Sequence, residues 1–262
     1  MIPEERRQFL LQRLEKKHTL SISELSKTLG VSSMTIRRDI KELERLGQVV
    51  AVSGGVRLTS RILKEPPYTS KLRTEIGYKR AIARESLKFV SEDQALFLDA
   101  GTTCFQIAQL LAGRTNLAVV TNDFSTAAVL MDHPAIELFH TGGRVDHANR
   151  SAVGMAAAAF IDTMNFDVAF ISSSSWDVKH GLTTPDQAKV LAKRKAMAAA
   201  SLNVLVGDST KFGRFGKFKI ADLKSFDYVI TDNRLADKDA EEIHDLGVKL
   251  ILVESETAPK AG

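Results

Sequence analysis

Cysteine is all but missing from the 262-residue chain: Cys104 is the only one, so a disulfide scaffold is excluded. Long hydrophobic runs are missing too. The longest stretch without a charged residue runs from Ala100 to Gly113, well short of a membrane span, and it contains Gly, Thr and Gln. No membrane partner is therefore expected. The first residues, Met-Ile-Pro-Glu-Glu-Arg-Arg, hold acids and no apolar segment, unlike a secretory leader; a cytoplasmic protein is the expectation. The six histidines show no metal-ligand spacing. A Walker motif ending at Lys217 would need Gly at 211 and Ser or Thr at 218, where Lys211 and Phe218 stand. No metal and no cofactor are expected. What is present is ordinary: 44% hydrophobic and 26% charged residues, enough apolar material for a sizeable core, which excludes disorder throughout. The length fits one large domain or two ordinary ones.

The net charge of +4 hides an asymmetry. Residues 1–60 hold 11 Lys+Arg against 7 Asp+Glu, and residues 61–80 hold 6 against 2. The remaining 182 residues hold 19 against 23. A basic front and an acidic back suggest that the front meets a polyanion, although a solvated face on a small helical domain would look much the same.

Three helices are predicted in the first 47 residues. Pro3 suits a first helical turn, with Glu4 and Glu5 near its positive end, and Phe9, Leu10 and Leu14 carry helical spacing to about Lys17. Ser23 is the expected N-cap of Glu24–Leu29, with Gly30 as its stop. Ser32 or Ser33 caps a third helix running to about Leu46, ended by Gly47. Val49–Val52, Ser53-Gly54-Gly55 and Val56–Leu58 then form a small hairpin. This is a winged helix-turn-helix layout, assigned to residues 1–58. Residues 59–70, with Pro66-Pro67, are the expected linker. Residues 71–256 form a second domain, and 257–262 a frayed tail. In the second domain, Lys71–Val90 has helical spacing through Leu72, Ile76, Ala83, Leu87 and Val90. Seven short apolar runs then predict buried strands: Ala95–Leu98, Leu117–Val120, Ile136–Phe139, Val168–Ile171, Val204–Val206, Tyr228–Ile230 and Lys249–Val253. Helices are expected at Thr103–Leu111, Phe124–Met131, Met155–Met164, Pro185–Ser201 (capped by Thr184) and Asp237–Asp245. The fold class is α/β with a mostly parallel sheet.

On a helical wheel of about 100° per residue, Ile36, Ile40 and Leu43 share one narrow stripe. Met34, Arg38, Lys41 and Arg45 lie opposite, flanked by Arg37. A helix that enters the major groove needs this arrangement, one face anchored and the other cationic. Near its N-terminus, Ser33, Met34, Thr35 and Arg38 are placed for base edges, and Ser32 is a further candidate DNA contact; Lys41 and Arg45 are placed for phosphate. Arg57, beside the Gly-rich wing tip, is a further contact. Asp39 lies beside the core stripe and is assigned to an ion pair with an arginine. The alternative is an ordinary amphipathic surface helix. Arg6, Leu10 and Leu14, followed by Ser32-x-x-Thr35-Ile36-Arg37-Arg38-Asp39-Ile40, resemble the signature of the DeoR family of bacterial transcriptional regulators, and Ser53-Gly54-Gly55-Val56 resembles its wing.

In an open parallel sheet, ligands bind beyond the carboxyl ends of the strands. Five predicted strand ends are rich in hydroxyls, glycines and charges: Asp99-Ala100-Gly101-Thr102-Thr103, Thr121-Asn122-Asp123, His140-Thr141-Gly142-Gly143-Arg144, Ser172–Ser175 and Gly207-Asp208-Ser209-Thr210-Lys211. Gly101–Thr103 opens a helix, where backbone N–H groups favour an anion. Arg144 and Lys211 add charge, Asp99, Asn122 and Asp208 are candidates for sugar hydroxyls, and Thr121, Gly142, Gly143 and Ser173 complete the candidate effector site. Each loop alone is explained as well by turn geometry. Several of these segments are similar to the effector domain of the DeoR family, which resembles ribose-5-phosphate isomerase and senses phosphorylated sugars or related metabolites. Two departures concern the effector. Ser172-Ser173-Ser174-Ser175-Trp176 stands where the family commonly has Gly-x-x-Gly. Lys193-Arg194-Lys195-Ala196-Met197 stands where it commonly has Val-Lys-Arg-Ala-Met, which by register puts Arg194 in the lysine's place. Trp176 is assigned to packing or to a ligand stack.

An isomerase-like fold invites a rival, a sugar-phosphate enzyme with a helical appendage. Such isomerases carry an acidic loop for proton transfer, and proton transfer of that kind needs paired carboxylates. Here the comparable loop is Ser172–Trp176, with Asp177 the only acid nearby. Cys104 has no histidine near it in sequence and is assigned to packing. No catalytic residue is expected. The expected function is sequence-specific DNA binding to a double-stranded operator, as a repressor of a sugar or sugar-acid catabolic operon released by a small phosphorylated sugar or sugar acid. Reading two half-sites requires a homodimer at least, and the resemblance implies a dimer or tetramer.

Overall fold

The computed structural model describes residues 2–17, 19–46, 48–52, 54–58 and 61–256. Gly47 as a helix stop, Ser53 in the turn, Thr59 and Ser60 in the linker, and the 257–262 tail lie outside the described residues. The chain divides into two units, Met1–Glu65 and Pro66–Gly262.

In the first unit, helices Pro3–Lys17, Ile22–Leu29 and Ser33–Arg45 are followed by strands Val49–Val52 and Gly55–Leu58. Leu10, Leu14, Leu25, Ile36, Ile40 and Leu43 meet Val49 and Val56 in one core, so the predicted stripe is the buried face. A short strand not anticipated in the sequence, Thr19–Ser21, pairs antiparallel with Gly55–Leu58, giving a three-stranded sheet. That strand corrects the second helix's start. Ser21, still extended, accepts the Glu24 N–H at 3.1 Å and is the N-cap in place of Ser23, which already lies in the first turn. Gly30 closes this helix in the left-handed conformation (φ 63°), as the sequence predicts.

The second unit is built on a seven-stranded, fully parallel sheet. From edge to edge its strands are Lys249–Val253, Tyr228–Asp232, Ala200–Val206, Phe166–Ser172, Ala95–Leu98, Leu117–Thr121 and Ile136–His140. Each contains one of the seven predicted apolar runs. Side chains alternate between two cores. Leu96, Leu98 and Val119 face helices Ile76–Ser86 and Thr102–Leu111; Phe97, Val120 and Ile171 face helices Met155–Ile161 and Val190–Ala198. Among the described residues, no helix is long and apolar enough to cross a membrane.

Three helical expectations are corrected. Lys71–Val90 is not one helix but Tyr68–Arg73 and Ile76–Ser86, followed by a 3-10 turn at Leu87–Phe89. The break falls at Glu75, which adopts the left-handed conformation (φ 55°), and the first helix takes up the end of the predicted linker. Helix Pro185–Ser201 begins only at Val190 and ends at Ala198, because Thr184 is consumed as a strand residue paired with Phe218 and the chain re-enters the sheet at Ala200. Met155–Met164 stops at Ile161. Short antiparallel pieces not foreseen complete the unit: Arg144–Asp146 with Ser151–Val153, and Ser175–Asp177 with Gly181–Thr184 and Phe218–Ala221.

Candidate functional site

On the helix Ser33–Arg45, Ser32 caps the start, accepting the Thr35 N–H at 3.1 Å, and its hydroxyl lies 2.9 Å from that of Thr35. Both hydroxyls are thus engaged in the cap. Ser33, Met34, Arg37, Arg38 and Lys41 are exposed, as is Arg57 on the wing strand. Met34 is 69% exposed, unusual for a methionine on an otherwise polar face. Among the described residues, Arg37, Arg38, Lys41 and Arg57 have no ion-pair partner. Arg45 differs: both its Nε and a terminal nitrogen donate to the Glu42 carboxylate, at 3.0 and 2.6 Å. Asp39 pairs with Arg6, which donates Nε and Nη2 to the two carboxylate oxygens at 2.5 and 3.1 Å. That pair is buried, so the one acid between Arg37 and Lys41 is neutralised from behind.

The order of the large sheet fixes a second site. Successive strands run outward from Ala95–Leu98 to one edge, and the chain then returns to place Phe166–Ser172 on that strand's other side. The reversal of direction puts the topological switch point, where doubly wound sheets offer ligands a crevice, at the carboxyl ends of these two strands. Gly101 must be glycine there, because a Cβ would stand 2.7 Å from Ser172 Oγ and 2.8 Å from its Cβ. Helix Thr102–Leu111 starts at this point with no side-chain cap, leaving first-turn N–H groups for an anion.

Several predicted site residues are committed to holding the crevice. Asp99 Oδ2 accepts from Ser172 N at 2.8 Å, Ser172 Oγ at 2.6 Å and the Lys193 ammonium. Lys193 also donates to Ser172 O at 3.0 Å. Thr121 Oγ1 donates to Leu98 O at 2.7 Å, and Asn122 is bound at both ends, to Ala100 N at 2.8 Å and Ala152 O at 3.1 Å. These side chains tie neighbouring strand ends together. Asp123 caps the next helix through Ser125 and Thr126 N–H and also accepts from Gly101 N at 3.1 Å. Burial nevertheless pushes its carboxyl up to about 6, against those hydrogen bonds.

Other predicted residues converge with free capacity. Ser173 Oγ is buried with no hydrogen-bond partner. Gly207 sits beside it, a Cβ there lying 3.5 Å from Ser173 and 4.0 Å from Lys211 Cδ. Lys211 Nζ is 3.2 Å from Asp208. Burial opposes ionisation of Asp208, but Lys211, Lys79 and the Thr210 hydroxyl outweigh it and bring the carboxyl down to about 2. Thr102 and Thr103 are buried at the helix start, whereas Gly142, Gly143 and Arg144 are exposed. Gly143 (φ 120°) packs closely on Val153 and Ala157.

Two buried lysines escaped sequence reasoning. Lys193, rather than Arg194, enters the crevice; Arg194 donates to Ile220 O and Lys219 O instead, both at 2.8 Å. Register puts Arg194 in the place of the family's lysine, but the ammonium that reaches the strand ends is that of the preceding Lys193. Lys79 is buried and within electrostatic reach of Lys211 and Asp208; burial, then Lys211, push its ammonium down to about 7. A signal existed for both. Lys79 shares a face with Ile82, Ala83 and Ser86, and Lys193 with Ala196 and Met197, so each is a lysine on a buried stripe. Trp176 is fully buried with its ring edge-on to Phe212, and Cys104 is buried, its thiol pushed well up by desolvation; both are packing residues. At the opposite end of the sheet, a depression of about 540 Å³ is lined by Asp93, Gln94, Asn116 and Glu137, without a cation to hold an anion.

Comparison with known proteins matches a family domain to each part of the chain. Residues 6–61 match the DeoR-like helix-turn-helix domain and residues 74–233 the DeoR C terminal sensor domain. An HTH-type transcriptional regulator of Haemophilus influenzae is 42% identical over 97% of this chain and 98% of its own. A putative aga operon transcriptional repressor of Escherichia coli O157:H7 is 30% identical over 95% of this chain and 93% of its own. The ribose 5-phosphate isomerase A of Methanocaldococcus jannaschii aligns with 51% of this chain and 53% of its own at 16% identity, with a TM-score of 0.39, too low to carry an argument. With a DNA-reading domain, a sensor domain and regulators as its full-length relatives, the chain is a DNA-binding regulator rather than an enzyme, and it belongs to the DeoR family of transcriptional regulators.

Proposed function

We propose that this regulator is a repressor of a sugar or sugar-acid catabolic operon, released from its operator by a small phosphorylated sugar or sugar acid. The observation that carries the DNA half is the exposed, unpaired cationic face of helix Ser33–Arg45. Met34 and Arg38 lie toward the N-terminus, where base edges are reached; Arg37, Lys41 and Arg57 meet phosphates. Ser32 and Thr35 order the helix start through the cap, and Ser33 is free to contact DNA. The effector half rests on the strand-end crevice. The Thr102 and Thr103 N–H groups, Ser173 Oγ and Lys211 form the anion-facing side, with Asp208 holding Lys211. Gly142, Gly143 and Arg144 border it, and Asp99, Thr121 and Asn122 keep its walls in place. One relative is named as a putative repressor, which favours repression over activation. A homodimer is the smallest assembly that reads two half-sites. Reading chromosomal DNA puts the protein in the cytoplasm.

The test is fluorescence anisotropy on the protein's own upstream DNA and on a scrambled duplex of equal length, at two salt concentrations. The upstream fragment binds more tightly at both salts, and Arg38→Ala with Lys41→Ala abolishes the preference. Ribose 5-phosphate and phosphorylated sugar acids are then titrated into the complex; the effector lowers the anisotropy because it binds the DNA-free state more tightly. Unchanged operator affinity in the double variant would defeat the assignment of this helix.

A further inference from the structure

We propose that Lys79 carries the occupancy of the strand-end crevice to helix Tyr68–Arg73, the first helix after the boundary between the two units. The inference rests on the crevice being the sensor site. The Lys79 side chain is buried, and its ammonium donates to Lys71 O at 2.5 Å and Thr74 O at 2.7 Å. These carbonyls lie at the C-terminal end of the six-residue helix, where backbone acceptors lack intrahelical partners and a cation is favoured. A helix that short does not sustain itself, so its ordering depends on such tertiary bonds. The helix is held elsewhere too, at its start by Tyr68 N on Ala148 O at 2.9 Å and along its length by Lys71 Nζ on Asn149 Oδ1 at 2.5 Å. Lys79 therefore serves the end that adjoins the break at Glu75, where the backbone is left-handed and Arg234 grips the Glu75 carboxylate at 2.8 Å.

The same ammonium is within electrostatic reach of the crevice. Lys79 interacts electrostatically with Asp208 and Lys211, the two groups that open the fifth strand-end loop. A phosphate arriving beside Lys211 brings formal negative charge, a stronger acceptor than a carbonyl for a buried ammonium. Lys79 then shifts from the helix carbonyls toward the anion, and the last turn of helix Tyr68–Arg73 loses two charge-assisted bonds. Differential contact of one residue in two states is what coupling between two sites requires.

Full-length wild type, Lys79→Met and Lys79→Gln are compared by hydrogen–deuterium exchange, with and without ribose 5-phosphate and inorganic phosphate as probes. Without a probe, the segment spanning residues 68–76 exchanges about tenfold faster in Lys79→Met than in wild type, and to an intermediate degree in Lys79→Gln, which keeps a shorter donor. Peptides from the Ala95–Leu98 and Phe166–Ser172 strands exchange alike in all three, which reports that the fold is intact. Saturating ribose 5-phosphate speeds the 68–76 segment in wild type and leaves Lys79→Met unchanged. Wild-type exchange of the segment in both variants, with no probe present, overturns the coupling. Failure of both probes and of the phosphorylated sugar acids to bind the wild type overturns the sensor assignment instead.

Discussion

Asp39 is an acid in a stretch that must approach phosphate, and Arg6 makes that tolerable. The pair is buried, with the guanidinium forked over the carboxylate. A buried pair is expensive to break from one side only, because the remaining charge is stranded. Arg6→Met is expected to destabilise the first unit by about 3–5 kcal/mol in urea denaturation. Arg6→Met with Asp39→Leu recovers most of that loss, and a double variant no better than the single would show that the arginine acts through packing alone. Asp123 makes the opposite kind of prediction. Its carboxyl, pushed up to about 6 by burial, titrates near 3.9 in the unfolded chain. Between about pH 4 and pH 6 the folded state holds a proton that the unfolded state has lost, so stability falls as pH rises through that window. Relative to Asp123→Asn, wild type should lose roughly 2–3 kcal/mol from pH 4 to pH 6.5, and a difference that does not vary with pH would mean the carboxylate is already ionised at pH 4. Asp208, held down to about 2, acts in a separate window, its contribution being lost only as pH falls from about 4 toward 2. At this scale the candidate site was half legible. Polar residues after strands could be listed from the sequence, but whether each faces a ligand or a neighbouring backbone depends on which strands are adjacent. Thr121 and Asn122 look like ligand contacts in sequence and are bound to Leu98, Ala100 and Ala152 in space.

Elements with a strong local signal were read well, and elements made by distant pairing were not. The seven sheet strands announce themselves because a parallel strand covered on both faces must be apolar throughout. Helix Ser33–Arg45 announces itself through a narrow stripe and a cap. Ser32→Ala removes the acceptor of the Thr35 N–H and should lower stability by about 1 kcal/mol, measured as a shift of the urea midpoint. Operator affinity should fall with it, since Met34 and Arg38 project from the turn that the cap orders; a variant with unchanged stability would assign that N–H to water. Thr19–Ser21 was invisible: three residues define no period, and the strand exists because Gly55 lets the wing approach, a Cβ there standing 2.5 Å from Leu20 O. The helix break at Glu75 was invisible for a related reason. One determinant, Arg234 on Glu75, joins residues that no local window contains, and the other, Lys79 on the carbonyls behind it, is a local bond that leaves no trace in the helical spacing.

Along the whole chain, the first 80 residues are basic and the remainder is more acidic, a charge distribution along the sequence that suits a polyanionic partner for the basic part. Only part of the positive charge is available for that purpose. Arg6 is spent on Asp39 and Arg45 is forked onto Glu42, whereas Arg37, Arg38, Lys41 and Arg57 are exposed with no ion pair among the described residues. Each arginine or lysine that neutralises a phosphate releases counterions and adds about 0.9 to the slope of log affinity against log salt. Replacing Arg37 and Lys41 with methionine removes two such contacts per half-site. On an operator with two half-sites, the slope should therefore fall by about 3–4, with the same reduction on scrambled DNA, because phosphate contacts carry no sequence information. Arg45→Met should move the slope by less than either single replacement, since binding phosphate first requires Arg45 to leave Glu42. Measured over a threefold range of salt, equal slopes for wild type and the Arg37/Lys41 variant would mean that this face does not lie along the backbone. A larger effect from Arg45 than from Lys41 would mean that the Glu42 pair opens on DNA and that the far end of the helix lies closest to the phosphates.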